Sequence, residues 1–62
     1  MNIIKAEQIK IGTQLAEADG FLWDVVEIIK ETPKTITCML KSNQDGVIRE
    51  RKMGAERLVA IA

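Results

Sequence analysis

The chain of 62 residues has no histidine and no tyrosine, and Phe21 and Trp23 are its only aromatic residues. Histidine is the side chain most often used for general acid–base catalysis, so its absence removes the commonest catalytic group. The core must be built from isoleucine, valine, leucine, methionine and alanine. A single domain of this size buries only about 60% of the surface that its unfolded chain exposes. We therefore expect a marginally stable domain that is not an enzyme.

Cysteine and long apolar runs are also scarce. Cys38 is the sole cysteine, which excludes an intramolecular disulfide and a cysteine-based zinc site. No apolar run approaches 18 residues, and no charged segment is followed by an apolar leader, so neither a membrane span nor a signal peptide is predicted. The expectation is a cytoplasmic protein without a cofactor and without membrane association.

Charge of one sign is not in excess. Nine basic and nine acidic residues give a formal net charge of zero, so nothing attracts nucleic acid or acidic lipid to the chain as a whole. The distribution along the sequence is uneven. Residues 1–31 hold three basic and six acidic residues, or −3, whereas residues 32–62 hold six basic and three acidic residues, or +3. Such a split can steer a partner or pair one copy with another.

What the sequence does have is a regular alternation of short apolar segments and turn residues. Asp-Gly pairs at 19–20 and 45–46 favour hairpins because glycine readily adopts positive φ, and Pro33 indicates a further turn. Residues 6–9 read as one helical turn that Gly12 follows. Residues 54–56 form a tight 3-10 turn before the last segment. Strands are predicted at 13–17, 21–30, 35–41, 47–53 and 58–61.

The second predicted strand has the least regular pattern. Its apolar pairs are separated by Asp24 and Glu27, a spacing that would also fit one face of a helix. A strand is favoured because half of residues 22–29 are β-branched and a bulge would account for the broken alternation. The third strand alternates cleanly and directs Ile36, Cys38 and Leu40 to one face. There the Cys38 thiol acts as a small apolar group rather than a nucleophile.

These features give an outline of five short strands with a long, bent second strand. The runs at 9–15 (IKIGTQL), 19–25 (DGFLWDV) and 32–37 (TPKTIT) resemble small SH3-like or KOW-like β-barrels, including short phage-encoded proteins of unknown function. The resemblance implies an all-β, five-stranded SH3-like barrel as a single domain. It implies fold far more than function, since such barrels bind nucleic acid, peptides, ribosomal or transcription partners, or copies of themselves. Tudor-like readers need an aromatic cage that two aromatics cannot supply.

The clearest candidate site is a group of cations in the second half of the chain. Arg49 and Arg51 share one face of the fourth strand, Glu50 faces the other way, and an antiparallel neighbour can bring a lysine alongside. A row of guanidinium groups could follow a phosphate backbone or bind an acidic peptide. The alternative is a charged surface that protects a strand edge. The full group is Lys34, Lys41, Arg49, Arg51, Lys52 and Arg57.

Trp23 and Met39 complete the set of candidate residues. Trp23 is either the aromatic anchor of a small core or an exposed platform for stacking. Met39 should face outward, opposite in direction to Cys38, and with Val47 on the arginine face it hints at a contact patch. The acidic group of Glu17, Asp19 and Asp24 reads as a solvated turn, because its spacing matches no oxygen-ligand loop for a metal.

Three functions fit this pattern. The first is a small regulatory or accessory protein that binds another protein through the outer face of the third and fourth predicted strands. The second is a KOW-like nucleic-acid-binding module whose arginines and lysines contact phosphates while Trp23 stacks on a base. The third is a homo-oligomer whose assembly is its function.

Overall fold

The structure is a computed structural model that describes residues 2–17 and 20–62. In these ranges the chain forms six strands and one 3-10 turn, η1, with no α-helix. They are β1 (Asn2–Lys5), η1 (Ala6–Gln8), β2 (Gln14–Ala16), β3 (Leu22–Glu31), β4 (Thr35–Ser42), β5 (Ile48–Gly54) and β6 (Leu58–Ile61). The all-β class is confirmed. None of the described residues belongs to a helix with the length and apolar character needed to cross a bilayer.

All six strands belong to one antiparallel sheet in the order β1-β6-β2-β3-β4-β5. β1 and β5 are the two edges and do not pair with each other, so the sheet is open and the predicted closed five-stranded barrel is not confirmed. The extra strand, β1, pairs with β6, from Asn2 opposite Ile61 to Lys5 opposite Leu58. These partners are more than 50 residues apart in the sequence, so no local pattern in residues 2–5 indicates a strand.

β3 is a strand, and the helical alternative is wrong. Its pairing with β4 shifts register between Val25 and Glu27 and again between Ile28 and Lys30. Each shift inserts one extra residue, Val26 or Ile29, and both remain exposed. The predicted bulge is therefore confirmed, and there are two of them. Because a bulge increases local twist and bends the strand, β3 can curve around the core.

One face of the curved sheet carries the core and is called the inner face here. β4 supplies Ile36, Cys38 and Leu40, each no more than 1% exposed, as the alternation predicted. Residues from the other strands, from η1 and from the position after it complete the buried cluster: Ala6, Ile9, Leu15, Trp23, Val25 and Met53. Burial raises the pKa of the Cys38 thiol, so this cysteine is an apolar core residue. The outer face is defined by the alternate residues of β3, β4 and β5.

η1 brings the two ends of the sheet near each other. The backbone N–H of Ala6 donates to Arg57 and that of Glu7 to Ala55, in the turn between β5 and β6. The helical turn predicted at 6–9 is thus present, as a 3-10 turn. The turn before β6 is not a second 3-10 element: it is a single hydrogen-bonded turn closed by Arg57 N–H and Gly54 C=O. Between β5 and β6 lies a gap without strand pairing, which we call the seam.

Candidate functional site

Arg49 and Arg51 lie on the inner face of β5, not on the outer one. In the β4–β5 pairing, Arg49 is opposite Leu40 and Arg51 opposite Cys38. Directly opposed residues of antiparallel strands share a face, so both arginines point to the same side as the core. Their common face was predicted correctly, as was the opposite direction of Glu50, but the assignment of that face to the outside was wrong.

The six predicted cations do not form one row. Lys41 is opposite Ile48 and Lys52 is opposite Thr37, on the outer face, so neither lysine stands beside the arginines. Met39 also faces outward and is half-buried, which separates it from the arginine face and from any joint patch there. Lys34 and Arg57 meet elsewhere, at a shallow depression that they line with Glu7 and Glu56 near the β5–β6 turn.

Trp23 is a core residue with an unusual environment. It is 5% exposed, which confirms its role as a core anchor and excludes an exposed stacking platform. The Arg49 guanidinium carbon lies 5.3 Å from the centroid of its ring, within range of a cation–π contact. The buried indole Nε1 has no hydrogen-bond partner among the described residues. Arg49 itself is exposed, so it covers the ring from the solvent side.

Arg51 has a different partner. Its Nη1 forms an ion pair with Oε1 of Glu17, which follows β2. The side chains are 38% and 24% exposed, respectively, so water screens the pair. The contact therefore crosses the seam and joins β5 to the residue that follows β2. Sequence reasoning placed Glu17 in an acidic turn with Asp24 and Asp19. Asp24 instead accepts a hydrogen bond from Gln14 Nε2, and Asp19 lies outside the described residues.

The Arg51–Glu17 pair forms one side of a cavity of about 170 Å³ in the seam. Leu15, Met53 and Val59 provide apolar lining, and Arg57, which also lines the depression near Lys34, lines this cavity together with Arg51. The lining of the cleft therefore combines apolar side chains with two arginines. Such a combination suits a ligand with carboxylates and apolar side chains.

β5 also presents an unpaired backbone to the seam. At one end of the β4–β5 ladder Ala55 N–H donates to Lys34, and at the other Ser42 N–H donates to Val47. Hydrogen-bonded and non-hydrogen-bonded pairs alternate along antiparallel strands. Arg49, Arg51 and Met53 therefore exchange hydrogen bonds with β4. The N–H and C=O groups of Ile48, Glu50 and Lys52 point away from β4.

The edge of β5 is thus a row of backbone donors and acceptors with arginines immediately beside it. The opposite edge is less open. β1 has only four residues, and the Lys5 N–H donates to Gln8 Oε1, which removes one of its outward groups. Of the two edges, β5 is the better template for an additional strand.

Comparison with models of known protein families gives no match, and comparison with curated proteins gives no match either. The geometry of the seam and of β5 is therefore the basis for the functional conclusion.

Proposed function

We propose that the protein is a non-enzymatic binding module that adds an extended, acidic segment of a partner protein to the free edge of β5. The main support is the unpaired edge of β5: the backbone N–H and C=O groups of Ile48, Glu50 and Lys52 point away from β4, and Arg49 and Arg51 lie beside them. Main-chain hydrogen bonds supply affinity in this mode of recognition, and alternate side chains supply specificity. The protein-binding function expected from the sequence is kept, with its site moved from the outer face to the edge and the seam.

The spacing of the arginines indicates the sequence that such a partner would have. A strand added to β5 places every second side chain on the inner face, beside Arg49, Arg51 and Met53. Opposite charges on neighbouring strands are favourable. The matching segment has acidic residues at two alternate positions and an apolar residue at the third, which would enter the cleft near Met53.

Glu17 supports the choice of an acidic ligand, because its carboxylate already occupies Arg51. A carboxylate from a partner would compete with Glu17 for the same guanidinium group. The intramolecular ion pair would therefore lower the affinity for the partner, and its removal should raise it. Arg49 is exposed above Trp23, so a ligand that draws Arg49 away would alter the environment of the only tryptophan.

The nucleic-acid alternative has less support. Contact with a phosphate backbone relies on several cations that converge on one surface. Here Lys41 and Lys52 lie on the face opposite to Arg49 and Arg51. An SH3-like or KOW-like relationship remains a prediction for the fold and selects neither function.

The experiment is a titration of the full chain with an acetylated, amidated Val-Thr-Glu-Thr-Glu-Thr peptide, whose alternate residues match Met53, Arg51 and Arg49, followed by Trp23 fluorescence and by backbone amide NMR shifts. The same peptide with lysine in place of both glutamates is the ligand control. We expect saturable binding of the acidic peptide only, with the largest shifts at Ile48, Glu50 and Lys52. Glu17→Gln should strengthen binding by up to about fivefold, since exposed ion pairs contribute about 0.2–1 kcal/mol. Arg51→Gln should weaken binding, because the partner's carboxylate loses a charged hydrogen-bond donor.

Proline substitution tests the backbone contact directly. Glu50→Pro removes an N–H that points away from β4, so the ladder keeps its hydrogen bonds while the edge loses a donor. Glu50→Ala is the matched control that retains the N–H. We expect Glu50→Pro to abolish binding and Glu50→Ala to preserve it, with circular dichroism confirming the fold. Lys52→Pro is the second edge variant. Two results would contradict the proposal: the acidic peptide still binds to both proline variants, or the wild-type protein binds duplex DNA at 50 mM salt as tightly as it binds the peptide.

A further inference from the structure

The outer face of β3, β4 and β5 carries its charges in rows that run across the strands. Glu27, Met39 and Glu50 form one row, because Met39 is opposite Glu27 on one side and opposite Glu50 on the other. Thr37 lies in the same way between Lys30 and Lys52. One row is therefore acidic at both ends and the neighbouring row basic at both ends.

These four charged side chains are exposed. Among the described residues, the structure shows no ion pair or side-chain hydrogen bond to any of them; the ion pair that it does show joins Arg51 to Glu17. Exposed apolar side chains accompany these charges. Ile48, opposite Lys41 on the same face, is 55% exposed, and the bulge residues Val26 and Ile29 of β3 are 43% and 46% exposed. These apolar side chains add contact area to a surface whose charged residues have no partner within the described part of the chain.

The two rows are complementary to themselves. They are about 6.6 Å apart along the strands, and each spans about 10 Å across three strands. Consider a twofold axis that lies between two such faces, runs across the strands and passes midway between the rows. It places the basic row of one copy over the acidic row of the other. Lys30 then opposes Glu27 of the second copy, and Lys52 opposes Glu50 of the second copy.

We infer that the outer face of β3, β4 and β5 binds a second copy of this chain in a twofold, face-to-face dimer. Twofold symmetry repeats each contact, so the dimer contains four lysine–glutamate pairs, with Met39 and Thr37 of each copy between them. Within the plane of the sheet, the same arrangement aligns the strands of the two copies, as in ordinary packing of one sheet on another. This surface is separate from the seam and does not depend on the proposed function.

The expected affinity is modest. Three strands of about six residues cover roughly 14 by 20 Å, less than the approximately 800 Å² per partner of a standard interface. The dimer should therefore form at high micromolar protein concentration and weaken as salt screens the ion pairs. The opposite charges of the two sequence halves do not create this surface, because each row combines residues from both halves.

Charge reversal on β3 tests the arrangement by sedimentation equilibrium. Glu27→Lys makes residues 27 and 30 both basic, so the facing copies repel, and Lys30→Glu makes both acidic. We expect each single variant to lower the dimer association constant by about tenfold or more. The double variant E27K/K30E should restore it, because each reversed residue again faces an opposite charge. An equimolar mixture of the two single variants should form a heterodimer, and Lys10→Glu, at an exposed position outside the sheet, controls for net charge.

Several results would overturn the inference. A strict monomer at 1 mM excludes the dimer, and a dimer that tolerates both single reversals places its interface elsewhere. A dimer abolished by Glu50→Pro but not by Glu27→Lys pairs through the β5 edge instead. If circular dichroism shows that a β3 variant does not fold, Glu50→Lys and Lys52→Glu repeat the exchange on β5.

The double variant E27K/K30E should bind the acidic peptide with the same affinity as the wild-type protein. Its peptide affinity therefore tests the proposed function independently of the dimer.

Discussion

The two faces of β5 treat their charged residues differently. On the inner face Arg49 lies over Trp23 and Arg51 pairs with Glu17, so each arginine has a partner within the molecule. On the outer face of the same strand, Glu50 and Lys52 have no such partner among the described residues. The two arginines of the inner face lie between the core and water, and each contacts another part of the molecule. The outer charges remain available to another molecule.

The difference shows that a sequence count of charges says little about a surface. Four consecutive residues of β5, at positions 49–52, are charged, yet the pleat divides them into two pairs with different surroundings. The contrast also predicts different consequences of substitution. Changes on the inner face should alter stability and the binding of an acidic segment, whereas changes on the outer face should alter the association of two copies.

The largest effect should come from adjacent residues of β4 that face opposite ways. Leu40 is 1% exposed and Met39 is half-buried. Leu40→Ala leaves a cavity in the core and should lower the free energy of unfolding by about 3 kcal/mol. Met39→Ala should cost less than about 1 kcal/mol. Urea unfolding of both variants, monitored by circular dichroism, measures the difference, and equal losses would show that the faces are misassigned.

The face of Leu40 could be predicted from the sequence, but the faces of Arg49 and Arg51 were not. In β4 the apolar residues alternate with polar ones, and period two identifies the core side directly. In β5 each alternate set contains two charged residues, so the pattern alone is ambiguous. Met53 held the missing signal, because it lies an even number of residues from both arginines. Once Met53 is buried, the pleat directs Arg49 and Arg51 to the same side.

Long-range contacts account for the rest of what was missed. β1 depends on β6, and Glu17 meets Arg51 only because the curved sheet brings β2 near β5. No local pattern in either segment specifies these partners. By contrast, a bulge in β3 was visible in the apolar pairs of its sequence, since one extra residue is needed to keep both Val25 and Ile28 on the core side.

A smaller effect should distinguish charges on the two faces of β5. Arg49→Gln removes the cation above Trp23 and should lower stability by about 0.5–1 kcal/mol, the usual range for an exposed cation–π contact. It should also change Trp23 fluorescence in the folded state. Lys52→Gln, on the outer face, should change stability by less than about 0.5 kcal/mol and leave the fluorescence as it is. Identical behaviour of the two variants would remove the distinction between the faces.

The smallest effect concerns the loop that determines which face each residue of β5 occupies. Asp45 Oδ1 accepts a hydrogen bond from the Val47 N–H at 3.1 Å, just before the strand begins. This hydrogen bond is the main cause that holds the pKa of Asp45 below its ordinary value of 3.8, and a hydrogen bond with Ser42 adds to it. A slip of one residue here would exchange the two faces, so the contact helps to fix the register.

Because the pKa of Asp45 is lower in the folded than in the unfolded chain, its contribution is fully present above the unfolded pKa and is lost as pH falls through the folded one. Asp45→Asn keeps an acceptor for Val47 but cannot ionise. The wild-type protein should therefore be slightly more stable than Asp45→Asn at pH 7, and the advantage should disappear as the pH falls below the ordinary pKa of 3.8 and through the lower pKa of the folded state. Urea unfolding across this range checks it. An advantage that persists at low pH would show that the carboxylate does not stabilise the start of β5, and the register would then rest on the β4–β5 ladder and on Gly46, whose φ of +73° closes the same loop.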